Sequence, residues 1–450
     1  MDDLKRVNNN YIKKITDLVS EGFFEQWLFI IIFYDRVFRH IILGLFIEKT
    51  EVIDHYFYAI EKNSFIVVLA FVGIKALYLL FYDRKALFKP GTVFIAGFCG
   101  VVLLTTFIND PNFMYDYMKK LSVCELLMVA LFMYNIPRFM TQKRFDTTVL
   151  WCGRLICYTV LILAIISLYI YYTGNSVTLF GTVFEKASLY SGGHAGSSDA
   201  RYYGLFTYPT TLGFRCYLAS VLSCHLYSKK KMNVIMPILI VLMSFILIYI
   251  ADSRTALINM LVILCFIAAQ IMQRHSISAK KAYGSVAVVI AVGLIAFLFI
   301  KRDLIAGLLA DPMGALDQLS SNRVALFVDR WNIFMAHPWI GAGWGVEAYM
   351  SNLGATNAHN IIANILAWTG IAGLIFFTLF VISTVISITR NKKRVLDNQY
   401  LVCLIICVFI HSLLDQAIIG HMRNPATYMF WISFGFLAYG TLSKNDLTVK

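Results

Sequence analysis

Asn357-Ala358-His359-Asn360 closes a polar stretch that opens at residue 301, and Ile361-Ile362-Ala363-Asn364-Ile365-Leu366-Ala367-Trp368 begins an apolar run that continues to residue 389. A histidine and two asparagines thus stand at the edge of a segment long enough to cross a membrane, since about 20 residues at 1.5 Å each span roughly 30 Å of hydrocarbon. Outward from this junction the chain repeats the same alternation of apolar runs and polar breaks. Of its 450 residues, 59% are hydrophobic and only 14% charged, where a soluble domain carries about 25% charged residues. With a mean hydropathy of +0.69, the expected class is all-α, a polytopic transmembrane helical bundle.

Runs of membrane-crossing length lie near 24–47, 62–82, 91–108, 119–136, 147–172, 207–227, 233–251, 255–272, 282–300, 359–389, 400–422 and 425–442. They predict about 12 transmembrane helices in a single membrane domain, residues 1–450. Asp35, Arg36, Arg39 and His40 interrupt the first run, where Asp35 and Arg39 can pair at i and i+4. The 22 residues before it are polar and charged, which suits a cytoplasmic arm or a surface helix better than a cleavable signal.

Basic residues mark alternate connections: Lys5, Arg6, Lys13 and Lys14; Arg84, Lys85 and Lys89; Arg138, Lys143 and Arg144; Lys229 to Lys231; Arg274, Lys280 and Lys281; Arg390, Lys392, Lys393 and Arg394. By the positive-inside rule these connections and both termini belong in the cytoplasm, which leaves the loops 173–206 and 301–357 extracytoplasmic. The net charge of +13 is spent on orientation in this way, and nucleic acid is not an expected partner. All nine cysteines fall within apolar runs without metal-ligand spacing, as buried small hydrophobes do.

An outward-facing enzyme cannot draw on cytoplasmic nucleotides, so its substrate should arrive already activated, as a lipid-linked phosphate or diphosphate. The sequence has no Walker loop, dinucleotide fingerprint or His-Glu-x-x-His pattern. No cofactor or metal is expected, and the cations for a diphosphate would come from arginine. Arg201 opens Arg201-Tyr202-Tyr203-Gly204, Arg254 lies in Asp252-Ser253-Arg254-Thr255, and Arg323 and Arg330 stand in the large loop. The guanidinium fork matches phosphate oxygens and keeps its charge near an apolar boundary. Anchoring to lipid headgroups is the competing role for each. Lys75, Arg154 and Arg215 lie deeper in their runs, where a charge costs several kcal/mol unless partnered by a ligand, by Glu125 or by carbonyls. Arg215, counted from the outer face, is the secondary binding candidate among them.

Within the large loop, Val324, Phe327, Val328, Trp331, Phe334 and Met335 recur at helical spacing and predict an amphipathic helix on the bundle or membrane surface. Arg323, Phe327 and Arg330 share one edge of it. Pro338 ends the helix, and Gly341, Gly343 and Gly345 allow a tight turn. His359 titrates near neutrality and can accept the proton of a hydroxyl, with Asn357 and Asn360 able to hold it or the substrate; a hydrogen-bonded helix end is its plainer role.

The succession Ser253-Arg254, Arg323, Pro338-x-x-Gly341-x-Gly343-x-Gly345, His359-Asn360 and Gly370-Ile371-x-Gly373 resembles the O-antigen ligase and O-antigen or capsule polysaccharide polymerase superfamily of bacterial membrane proteins. Arg201-x-x-Gly204 with Pro209 is similar to that family's earlier outer motif, so the resemblance covers roughly residues 200–420. The interval from Arg323 to Pro338 makes Arg323 a better match to its loop arginine than Arg330. Phe327 stands where a Trp is frequent, and Thr210 where an Asn often follows the proline.

The resemblance implies a metal-independent, glycosyltransferase C-like membrane enzyme of the bacterial cytoplasmic (inner) membrane. Its donor would be an undecaprenyl-diphosphate-linked glycan, and a chain-length regulator protein would be a further partner. Arg201, Arg254 and Arg323 would engage the diphosphate or donor, with Arg215 and Arg330 in support. His359 would activate the acceptor, while Asn360 and Asp415 would contact substrate. Asp415 could equally pair with Arg423 or His411. Polymerase and ligase differ only in the acceptor, a second lipid-linked repeat or a lipid A core sugar. Polymerisation of lipid-linked repeats is the expected activity because the outer loops hold no separate acceptor-binding domain. A transporter of lipid-linked sugar is the alternative that mid-membrane Lys75, Arg154 and Arg215 would suit, although the distinctive residues cluster on one face.

Overall fold

The structure, a computed structural model, describes residues 21–45, 88–109, 128–179, 182–191, 201–206, 209–274, 284, 323–344, 360–414 and 424–441. Its helices are α1 (Phe23–Leu45), α2 (Pro90–Asn109), α3 (Gln142–Thr173), α4 (Pro209–Ser228), α5 (Ile235–Ile250), α6 (Arg254–Arg274), α7 (Arg323–Ala336), α8 (Ile361–Arg390), α9 (Lys392–Asp397), α10 (Gln399–Leu414) and α11 (Pro425–Tyr439). A π-helical segment, Met128–Met133, and a 3₁₀ turn, Ile136–Phe139, precede α3. The runs expected at 62–82 and, apart from residue 284, at 282–300 lie outside the described residues, as do His359, Asp415, Lys75 and Glu125.

Among the described residues, Pro90–Asn109, Gln142–Thr173, Arg254–Gln273 and Ile361–Arg390 are long and apolar enough to cross a membrane, with Ile235–Ile250 and Gln399–Leu413 shorter apolar helices. Lipid replaces water around such helices, so large apolar side chains face outward without penalty. Leu104, Ile162, Leu242, Leu261 and Ile375 do so. Two helices behave differently. On α4 every residue from Leu212 to Leu226 is buried, and on α11 every residue from Pro425 to Ala438. Enclosed by other helices, α4 can carry Arg215, Ser220, Ser223 and His225, all buried, which would be costly against hydrocarbon.

Hydrogen bonds between distant segments define two ends of the bundle. At one, Asn391 reaches the Ala438 carbonyl at 3.1 Å, Arg394 the Leu437 carbonyl at 3.2 Å, and Thr441 the Gln142 side chain at 3.2 Å. Lys143, Arg144, Lys229 to Lys231 and the 390–394 cluster gather there, as the basic end. The far end holds the starts of α4, α6, α8 and α11 and the ends of α2, α3, α5 and α10. The expected outer loop 173–206 includes two short antiparallel pairs, β1 (Val177–Leu179) with β2 (Thr182–Phe184) and β3 (Tyr190–Ser191) with β4 (Arg201–Tyr202).

Arg154 is exposed and donates to the Lys231 carbonyl at 3.3 Å, so the turn after α4 supplies a carbonyl partner of the kind its position calls for.

Candidate functional site

At the far end, α8 is one helix in name and two in geometry. Gly370 lies at φ 61°, ψ −159°, and the backbone breaks there inside an otherwise apolar span. A break in lipid strands amides and carbonyls, which must find partners within the protein. The Pro338–Trp344 segment supplies them. Ala342 N donates to Ala367 O at 2.8 Å and Gly343 N to Trp368 O at 2.9 Å; beyond the break, Ile371 N donates to Pro338 O at 2.9 Å and Ala372 N to Trp339 O at 3.1 Å. Gly341, at φ 70°, sits against the Trp368–Thr369 backbone, and Gly370 against the Trp339 backbone, so a Cβ on either would meet main chain. The far side of the loop is pinned by Asn109 Nδ2 to Gly341 O at 3.1 Å and by Trp344 N to Thr106 Oγ1 at 2.9 Å, both from α2.

This insertion fixes α7. Ile333 packs with Ala342 of the loop and Ala367 of α8 in a small buried cluster. The bundle-facing side of α7 also buries Asp329 and Arg330, at 5% and 1% exposure. The opposite side leaves Phe327, Val328, Trp331 and Met335 exposed, with Trp339 and Ile340 beyond them. Four residues of the apolar stripe expected on this helix therefore face away from the protein, as in a helix lying at a membrane surface, whereas Phe334 of that stripe is buried. Arg330, the second choice from sequence, is the one whose side chain is seen buried against the bundle; only the backbone of Arg323, two helical turns earlier, is described.

Three other connections gather the remaining candidates. Buried Asn259 of α6 and His411 of α10 approach at 3.2 Å (Nδ2 to Nδ1), with Phe214 of α4 stacked on the imidazole at 3.9 Å. The two helices run in opposite directions, so Arg254 lies about 7.5 Å along α6 from that pair and Leu414 about 4.5 Å along α10, both toward the far end. Asn360 then closes the group. Its Oδ1 accepts from Ile362 N at 2.9 Å and Ala363 N at 3.0 Å, capping α8, and its Nδ2 donates to Leu413 O at 2.9 Å. Expected to hold substrate, Asn360 is engaged in aligning the start of α8 with the end of α10. His359 and Asp415 immediately flank these aligned ends in sequence.

Arg254 itself is exposed at the first position of α6, after a turn with Asp252 at φ 46°. Arg201 is half-buried on β4; its neighbour Tyr202 donates to Ser167 O of α3 at 2.6 Å, and Leu205 N donates to Ser167 Oγ at 3.0 Å. Gly204, at φ 55°, admits that serine, which explains the glycine in Arg-x-x-Gly. Arg215 is fully buried on α4. Its Nη2 donates to Val37 O of α1 at 3.3 Å, and among the described residues Nε and Nη1 have no hydrogen-bond partner. No group of three or more His, Cys, Asp or Glu among the described residues could hold a metal ion.

Sequence reasoning missed the Asn259–His411 pair, whose members stand alone in apolar runs 152 residues apart. It named the glycines at 341 and 370 without the interlock that requires them.

Residues 238–378 match the family model described as O-antigen ligase, which places this stretch, just under a third of the chain, in the O-antigen ligase superfamily. No curated protein matches the chain. The matched stretch includes Arg254, Arg323, the Pro338–Trp344 insertion, His359, Asn360 and the break at Gly370; Arg201, Arg215 and Asp415 lie outside it. With its long apolar helices, the chain is a membrane protein bearing a domain of the O-antigen ligase type.

Proposed function

We propose, from the O-antigen ligase domain at residues 238–378, that this protein transfers glycan from undecaprenyl diphosphate to a sugar hydroxyl at the extracytoplasmic face, and that it polymerises lipid-linked repeat units. The observation that carries the reading is the alignment of the starts of α6 and α8 with the end of α10, which brings residues distant in sequence to one end of the bundle. The acceptor hydroxyl attacks the anomeric carbon of the donor, His359 takes the hydroxyl proton, and the bond from that carbon to the diphosphate oxygen breaks. Arg254, with Arg201 and Arg323, stabilises the charge gathering on the departing diphosphate. The Nε and Nη1 edges of Arg215 suit a further phosphate contact, since a buried guanidinium bonded to one carbonyl is costly until an anion arrives. Buried Arg330 supports α7 from beneath.

The family description, O-antigen ligase, fits a second reading equally well, in which the glycan is ligated to a lipid A core sugar. The two are separated by supplying purified protein with radiolabelled lipid-linked repeats. A ladder of products formed without core oligosaccharide is the expected result. Transfer only after core is added would replace polymerase by ligase.

A further inference from the structure

A recess opens at the basic end, away from every residue placed at the far end. It is a cleft of about 600 Å³ lined by Gln142 of α3, Lys229 of the turn after α4, Arg390, Asn391, the α9 residues Lys392, Lys393, Arg394 and Asp397, Asn398 and Phe436. Five cations face a single carboxylate across it. The positive-inside rule accounts for basic residues at this end, but it does not require them to line one concave surface.

Arg394 is built into that surface. Its guanidinium donates to Leu437 O at 3.2 Å and lies over the Phe436 ring at 5.8 Å, and Gly440 leaves room for it, since a Cβ there would collide with the guanidinium. Burial lowers its pKa from the usual arginine value. A cation stripped of part of its water gains more from a bound anion than one fully solvated.

The approach to the cleft is apolar. Ile375, Leu379, Ile382 and Ile386 are between 38% and 52% exposed and form one stripe along α8 that ends at Arg390 on the lip. A ligand with an anionic head and hydrocarbon tails matches both parts, whereas a free anion uses only the first. We propose that this cleft binds the phosphate of an anionic phospholipid, with its acyl chains lying along the α8 stripe.

The test titrates the purified full-length protein in detergent with phosphatidylglycerol and reads bound lipid by native mass spectrometry. The double variant Arg390→Gln/Lys393→Gln should bind on the order of tenfold more weakly, given the contribution of each juxtamembrane cation. Lys143→Gln, an exposed cation of the same end outside the cleft, should bind as wild type does. Circular dichroism confirms that each variant is folded. Equal binding by the double variant, an equal loss in Lys143→Gln, or displacement of the lipid by equimolar inorganic phosphate would each overturn the proposal.

Discussion

Arginine serves the two ends of this bundle in opposite ways. At the basic end the cations are many, adjacent in sequence and mostly exposed, and Arg394 gains partners in the Leu437 carbonyl and the Phe436 ring. At the far end they are few and scattered in sequence; Arg215 and Arg330 are each 1% exposed. The first arrangement costs little and orients the chain in its membrane. The second is expensive in isolation, and a fold that retains it has a use for the charge. The contrast extends to the backbone, because α8 is regular toward the basic end and broken, then repaired by an inserted loop, toward the far end.

The largest effect should follow from attacking that repair. Gly370→Val puts a β-branched residue at positive φ against the Trp339 backbone and displaces the loop that satisfies the break, a loss of more than about 4 kcal/mol. Expression and thermal unfolding should show no stable protein; a variant as stable as wild type would mean the insertion is incidental.

Arg215→Met sharpens the comparison further. Replacing a buried, under-bonded cation by an apolar residue of similar length should leave stability unchanged or raise it by roughly 1–4 kcal/mol, while glycan transfer falls about tenfold or more. Destabilisation with unchanged turnover would assign Arg215 to structure instead. Asn360→Ala removes a helix cap and the tie to Leu413, so thermal unfolding should register a loss of about 1 kcal/mol, and turnover should fall with it as the start of α8 loses its alignment. Smallest of all, Lys393→Gln at the basic end should shift stability in lipid-free detergent by less than about 0.5 kcal/mol.

Part of the helical framework could be read in the sequence because lipid imposes one rule, an apolar run of sufficient length, and among the described residues α2, α3, α6 and α8 obey it. The far-end machinery was legible only in part. Arg254 and Arg201 announced themselves as charges beside apolar runs, and Gly204 as part of the Arg201-x-x-Gly204 motif. Asn360 was visible as polar, but its commitment to capping depends on the Ile362 and Ala363 amides and on a carbonyl 53 residues away. Arg154 was visible as a charge in need of a partner, but that partner, the Lys231 carbonyl, lies 77 residues away. Motif spacing put Arg323 ahead of Arg330 and carries no information about burial; that the Arg330 side chain is buried follows from the packing of α7 through Ile333 on Ala342 and Ala367.

The central claim, that the far end carries out glycan transfer through His359, is tested most directly by single-turnover transfer from a radiolabelled lipid-linked repeat with His359→Ala and Lys143→Gln side by side, each shown to be folded and membrane-inserted. The account predicts a loss of about 10²- to 10⁴-fold for His359→Ala, as for removal of a general base, and wild-type turnover for Lys143→Gln, an exposed cation of the basic end. Undiminished transfer by His359→Ala would contradict it.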